Sequence, residues 1–535
     1  MKQVPVLIAG GGPVGMILAH DLARRGIACL LAERNPTTTA HPKMDITNGR
    51  SMELLRRAGL DTKLRAVAIP EDHSFDVAWI TDLSGHALHR FAYPTVAQAR
   101  ARIRAANDGS QTAEPPMRVS QVIIEPVLKQ AIDEADRVEV RFGWTLERFE
   151  EDGRGVTVTL QSANGDEERV RADYLVGCDG GGSRVRRQLG IGQTGEARIS
   201  ERYIVHFESD DRALLQRWGP AWHYQSNHGT LVAQNDRDIW TLLAQLPPGM
   251  SAQEVDPSRL LCEFAGRAFA HRVVLANAWA PNLLVADSYG SARVWIAGDA
   301  VHQYVPTGGY GMNTGVGDAF DLGWKLAATL KGFGGPGLIA SYAAERRPIG
   351  LRNCAAARHH SATRRAISAL YDHAASAGGT GSVTARDTLA SGIAALGNAE
   401  NESMGIEHGY AYPDSPIVCG ESGARVPDDP LVYEPGTVPG ARLPSFILED
   451  GVALYDRLGD WFTLLIIGDG DEPGFAAAGK ALGVPLAILR VAPRWRALYA
   501  CDLLLVRPDQ HIAWRGRHGD GADAPLVLRR ALGWT

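Results

Sequence analysis

An α/β fold organised on a parallel sheet is predicted by one pattern that the sequence repeats: a short apolar run, a glycine-rich turn, then residues at helical spacing. Residues 4–9 (VPVLIA) precede GGGPVG, residues 174–178 (YLVGC) precede DGGGSRVR, and residues 294–297 (VWIA) precede GDAVHQ. Runs this short and apolar suit strands covered on both faces. The 535 residues are enough for roughly two to four domains. A composition of 45% hydrophobic and 22% charged residues excludes a disordered chain and a disulfide-stapled miniprotein. Fifty-five Lys and Arg against sixty-one Asp and Glu, a formal charge of -6, exclude a dedicated nucleic-acid binder and leave a small molecule as the expected partner. Cys29, Cys178, Cys262, Cys354, Cys419 and Cys501 are scattered with no CxxC pair, as expected of reduced thiols in the cytoplasm, with no metal site. The one stretch that could pass for a targeting or membrane segment, residues 4–19, carries four glycines and Pro13, so neither export nor a membrane span is expected.

The first turn is the most informative. Pro13 can open a helix, and Val14, Leu18 and Leu22 then fall four apart on one face, which puts the glycines at a strand-to-helix turn. Gly10, Gly12 and Gly15 form GxGxxG: one glycine for the tight turn, one for close backbone approach to a pyrophosphate, one for helix packing. The helix start at Pro13 and Val14 faces the phosphates with its partial positive charge and with free N–H groups, that of Val14 among them. A second apolar run, residues 28–32, ends in Glu33, where an acid would hold the hydroxyls of an unphosphorylated ribose. Together these specify a dinucleotide site.

The third turn adds chemistry. A strand followed by Gly298-Asp299 puts a carboxylate at the carboxyl end of a strand, where ligands of open α/β sheets bind, and makes Asp299 an acceptor for sugar-chain hydroxyls. Beyond it, Pro306, Gly308, Gly309, Gly311, Met312 and Asn313 bring bare backbone N–H groups to a helix start, suited to an anionic ring edge such as that of reduced flavin.

These three stretches, GGGPVG with Glu33, DGGGSRVR, and GDAVHQYVPTGGYGMNTGVGDAFDLGWKL, closely resemble the fingerprints of the single-component FAD-dependent aromatic hydroxylases. SYAAERRP (residues 341–348) resembles the closing helix of that family, and residues 439–446, 456–465 and 505–515 are similar to the thioredoxin-like third domain of its phenol hydroxylase branch. The resemblance implies a discontinuous Rossmann-like FAD-binding domain (residues 1–75, 118–191 and 282–370) and a mixed-sheet substrate domain (76–117 and 192–281). A helical segment and linker (371–435) and a thioredoxin-like domain (436–535) would follow. It implies FAD as cofactor, NADPH or NADH as co-substrate, and O2-dependent hydroxylation of an aromatic, phenolic substrate through a flavin C4a-hydroperoxide. Carried over residue by residue, Gly10, Gly12, Gly15 and Glu33 hold the ADP half, with Arg34 beside the adenosine. Asp299 holds the ribityl chain, residues 308–313 line the isoalloxazine, and Gln121 meets the phosphate or ribityl region. Asp179, with Ser183 and Arg186, matches a stretch that serves both FAD and NAD(P)H. Lys43 stands where many relatives have arginine. With only Cys501 in the tail, packing or homodimer formation is its expected role rather than redox work.

A flavin hydroxylase needs one base, to remove the phenolic proton. Asp45, in PKMDITNGRSMELLRR, stands where the phenol hydroxylases have an aspartate; the competing reading is a helix N-cap, for which Asn48 is equally suited. Runs at residues 203–207, 221–224, 231–233 and 239–243 read as strands of the substrate sheet. Trp222, Tyr224 and Trp240 in that sheet are candidates to flank a flat substrate, with Tyr304 beside the GD turn. His302 reads as hydrogen-bonded structure, and the alternating Arg100, Arg102 and Arg104 as a solvated edge. Two alternatives stay open: a Baeyer–Villiger or tailoring oxygenase acting on a polycyclic ketone, and an FAD-binding protein without oxygenase chemistry.

Overall fold

The computed structural model describes residues 1–247, 249–376, 380–472 and 474–534; residues 377–379, in the alanine- and glycine-rich stretch expected before the tail, lie outside them. The three apolar runs of the sequence are neighbours in one sheet. Lys2–Ala9 runs parallel to Glu167–Gly177 on one side and to Cys29–Glu33 on the other, and Val294–Ile296 adds in parallel beyond Glu167–Gly177. The register places Ala9 opposite both Gly177 and Ala32, and Gly177 opposite Ile296, so all four strands end in one row. Every glycine-rich turn therefore opens at the same edge, where ligands of parallel sheets bind. Leu7, Ile8, Leu30 and Val176 fill the core between this sheet and the helices Pro13–Arg24 and Tyr310–Leu330, which contribute Leu18 and Leu322.

The second sheet has seven strands in the order Arg272–Trp279, Arg202–Glu208, Ile239–Gln245, Gly229–Ala233, His223–Ser226, Val77–Ile80 and Ala87–Phe91. All its pairs are antiparallel except His223–Ser226 with Val77–Ile80. The expected run at 221–224 starts two residues later as a strand, leaving Trp222 just ahead of it. One face packs a core of Tyr203, Phe207, Tyr224, Trp240 and Leu242; the other is turned to the first sheet across a cavity.

A third unit closes the chain, a four-stranded sheet in the order Leu486–Val491, Phe462–Ile467, Leu503–Val506, Ile512–Gly516. Its Cys501 is buried, and burial pushes the thiol up to about 11, which keeps it unreactive. Buried charge ties this unit to the rest. Arg507 donates to Glu345 (2.6 Å), to Asp321 (3.1 Å) and to Asp509 (2.6 Å), and Lys325 donates to Asp321 (2.8 Å). The three acids converge closely enough to suggest a metal, but the two cations already occupy their oxygens. With three acids and two cations, burial pushes the Asp321 carboxyl well above its ordinary range, while Arg507 and Lys325 outweigh burial and hold Glu345 low. A second tie, Arg442 to Glu53 (2.9 Å), outweighs burial and, with Arg50, holds the Glu53 carboxyl at about 2. No described helix is long and apolar enough to cross a membrane.

Candidate functional site

The glycine turns face a cavity of about 1630 Å³ between the two sheets, larger than the roughly 300–1000 Å³ typical of a pocket for one small ligand. The first turn shows why three glycines are needed. Gly10 has φ +112°, and a Cβ there would lie 2.2 Å from the Cys178 carbonyl oxygen; a Cβ on Gly15 would lie 2.0 Å from the Gly10 oxygen. Gly12 is different: a Cβ there would meet no protein atom within 4 Å, and with Pro13 and Val14 it lines the cavity. Its bareness serves something that is not protein, as a pyrophosphate at a helix N-terminus requires. Glu33 reaches over this turn, accepting from Gly11 N–H at 2.7 Å and from Asn35.

Asp299 is open to the cavity and enclosed by protein on its other sides, so burial raises its carboxyl against the pull of His302 and Lys43. No protein group donates to it among the described residues, which leaves its oxygens for the hydroxyls of a sugar chain. Pro306, Gly308, Gly309, Gly311 and Met312 line the same wall, and Gly309 (φ +64°) caps the 21-residue helix Tyr310–Leu330. Two helix N-termini, Gly12–Pro13 and Gly309–Tyr310, thus point free N–H groups and positive dipole ends into one space. Lys43 and Gln121 also line it; the Gln121 amide is held by Glu125 at 2.7 Å. These residues fit FAD.

Asp45 lies on the wall shared with the second sheet, 9% exposed, and is not a helix cap: Asn48 takes that role, accepting from Ser51 N–H at 2.9 Å. Its Oδ2 accepts from Trp222 Nε1 at 2.7 Å and from Arg118 Nη2 at 3.4 Å. Burial outweighs both and raises the carboxyl above its ordinary range, toward the pH at which a general base is effective. The next residues join Asp45 to the Gly308–Met312 wall. Asn313 donates to Ile46 O (3.1 Å) and accepts from Asn48 N–H (3.0 Å), and the Ile46 side chain packs against Gly309. A buried carboxylate is thereby braced against the Gly308–Met312 wall.

Some expected residues are placed elsewhere. Tyr224 and Trp240 do not reach the cavity. Side chains alternate along a strand, and their parity turns both to the core face, where Trp240 donates to Ser209 O at 3.0 Å and Tyr224 to Gly219 O. Asp179 is not among the lining residues and accepts from the first two N–H groups of a short helix capped by Ser183, Arg184 N–H (2.7 Å) and Val185 N–H (3.1 Å). Arg186 links two turns by donating to Gly181 O and Ala300 O. Asn313 is spent on the brace, and Arg34 is exposed at the end of its strand, off the cavity lining. Tyr304 does line the cavity, stacked on His302 at 4.9 Å, and His302 is structural, bonded to Asp318 at 2.8 Å. Of the three alternating arginines, Arg102 reaches the cavity from the helix Val96–Ala106, while Arg100 pairs with Glu71 and Glu114. Sequence reasoning missed Arg118, whose one signal is an arginine set between Met117 and Val119, and His223, half-buried beside Trp222.

Comparison with known proteins agrees with this geometry. Residues 3–357 match the FAD binding domain family, and residues 436–534 match the aromatic-ring hydroxylase C-terminal family. The chain is 34% identical to the FAD-dependent monooxygenase apdD of Emericella nidulans, over 99% of this chain and 90% of that one. It is 30% identical to a putative polyketide hydroxylase of Streptomyces halstedii, over 97% and 94%. Among solved structures, the flavin-dependent monooxygenase PieE, in complex with FAD and substrate, superposes with a TM-score of 0.89 at 30% identity, over 99% of each chain. A shared fold at this identity, from the first glycine turn to the last sheet, makes the chain a member of the FAD-dependent aromatic-ring hydroxylases, which are flavoprotein monooxygenases.

Proposed function

We propose that this monooxygenase hydroxylates a flat phenolic substrate of several fused rings, using O2 and NADPH or NADH, with Asp45 taking the phenolic proton. The observation that carries this reading is the position of Asp45: a buried carboxylate on the cavity wall, one residue from the Ile46 that packs on Gly309. Gly12, Asp299 and the Gly308–Met312 turn would hold FAD, which when bound supplies electron transfer and oxygen activation. The protein's own part is binding, orientation and one proton. Trp222 and Arg118 fix the Asp45 carboxylate, and its raised affinity lets it accept a proton from a phenol and make the ring more nucleophilic. Several rings are favoured over one by the cavity volume and by the polyketide hydroxylase among the relatives.

The same volume favours a second reading, oxygen insertion into a polycyclic ketone. Incubation with NADPH or NADH, labelled oxygen gas and a panel of polycyclic phenols and ketones separates the two by product mass. One labelled oxygen on an intact ring is expected. Label in a lactone would favour the second reading, and no incorporation into any member would overturn both.

A further inference from the structure

The cavity continues past Asp45 along the inner face of the seven-stranded sheet, and it is lined there by two guanidinium groups of which only one is paired with an acid. Arg202 lies between Gln245 and Trp279 as their cross-strand neighbour, and all three line the cavity. Among the described residues its one side-chain bond is from Nε to Ser200 Oγ (3.1 Å), and no acid is among its electrostatic partners. Arg364, from the long helix Ser341–Ser376, stacks over Trp79 at 5.3 Å and pairs with Glu400 at 2.6 Å. It lies near enough to Arg202 for its charge to disfavour a second cation there.

Beside each guanidinium a buried polar atom has no bonded partner among the described residues: Trp279 Nε1 on the strand next to Arg202, and Arg364's own Nε with Trp79 Nε1 beneath it. Buried polar groups are almost always bonded, and these line the cavity, where a ligand can supply the missing partners. Charge narrows the choice. Glu400 balances Arg364, no described acid stands beside Arg202, and burial together with Arg364 and Arg118 holds His223 well below its ordinary range, so one uncompensated positive charge stands at Arg202. A monoanion balances that charge, whereas the 2′-phosphate of a nicotinamide nucleotide would overshoot it. A guanidinium with free N–H groups matches a carboxylate in shape as well as in sign.

We infer that this end of the cavity is a carboxylate subsite, in which Arg202 pairs with an acid group on the aromatic substrate while Arg364 supports it, so that ring-bearing carboxylic acids are the substrate class. This rests on the aromatic-substrate reading above, and binding can test it without turnover. The FAD-loaded enzyme is titrated with anthraquinone-2-carboxylate and with its methyl ester, following the flavin absorbance. The acid is expected to bind roughly ten- to a hundredfold more tightly, as charge-assisted hydrogen bonds provide. Arg202→Met is expected to erase that preference while keeping FAD content and ester affinity, and Arg202→Lys to keep part of it. Equal affinity for acid and ester in the unmodified enzyme, including binding of neither, would overturn the subsite. So would an Arg202→Met enzyme that keeps the preference and instead binds NADPH more weakly. Acid preference without oxygen incorporation would leave the subsite standing and remove the hydroxylase reading; labelled product without acid preference would do the reverse.

Discussion

The two faces of the seven-stranded sheet are built from alternate residues of the same strands, yet they obey different rules. On the core face Tyr203, Phe207, Trp240 and Leu242 are buried, and the indole N–H of Trp240 has its acceptor. On the cavity face, Trp79, Trp279 and His223 bury polar atoms that nothing among the described residues satisfies. The Trp240 indole is completed by the protein, whereas the cavity-face groups are left for a ligand to complete.

The largest expected effect falls on the cavity side. Asp45→Asn removes the base and is expected to lower hydroxylation of phenols by about 10²- to 10⁴-fold, with FAD content unchanged. Steady-state kinetics on product formation check it, and near-normal turnover would take Asp45 out of the chemistry. The contrast itself is sharpened by adjacent residues of one strand. Leu242 is fully buried on the core face while Leu243 lines the cavity. Leu242→Ala is expected to cost about 2–5 kcal/mol of stability and Leu243→Ala under about 1 kcal/mol, the latter instead changing the substrate KM. Equal losses in thermal or urea unfolding would break the distinction between the faces.

A smaller effect concerns acidity. Because burial holds the Asp45 pKa above its ordinary value, the acid limb of kcat/KM for a phenol is expected above the usual aspartate range near pH 4. The rate climbs with pH as the carboxylate ionises and levels off above that raised pKa. Trp222→Phe deletes a hydrogen bond to the ionised form, worth roughly 1.5–3 kcal/mol, so the limb should move up by about one to two pH units with little change in stability. A downward or absent shift would show that the indole only fills space.

The nucleotide side of the site was legible in the sequence because its requirements are local. Gly10 needs a positive φ, Gly15 must let the helix close on Gly10, and Asp299 must follow its strand directly, all within a few consecutive residues. The substrate side was not, because which residues face the ligand depends on strand register, and a shift of one residue exchanges the faces. Tyr224 and Trp240 were attractive as aromatics and lie on the wrong parity, whereas Trp222, one residue ahead of its strand, reaches Asp45. Arg118 meets Asp45 across 73 positions of sequence, a pairing that no local pattern announces. The tail was identified by similarity, but the ion pairs through which it docks are long-range and equally silent in one dimension.

Those ion pairs bear on how such enzymes can be recombined. Asp321 and Lys325 lie in the helix whose first turn forms the flavin wall, and the tail's Arg507 neutralises that helix together with Glu345. A hybrid that takes its last hundred residues from a relative therefore cannot be joined at the linker alone. It must inherit Asp321, Lys325, Glu345, Arg507 and Asp509 as one set, or leave unmatched charge beneath the helix that receives the cofactor.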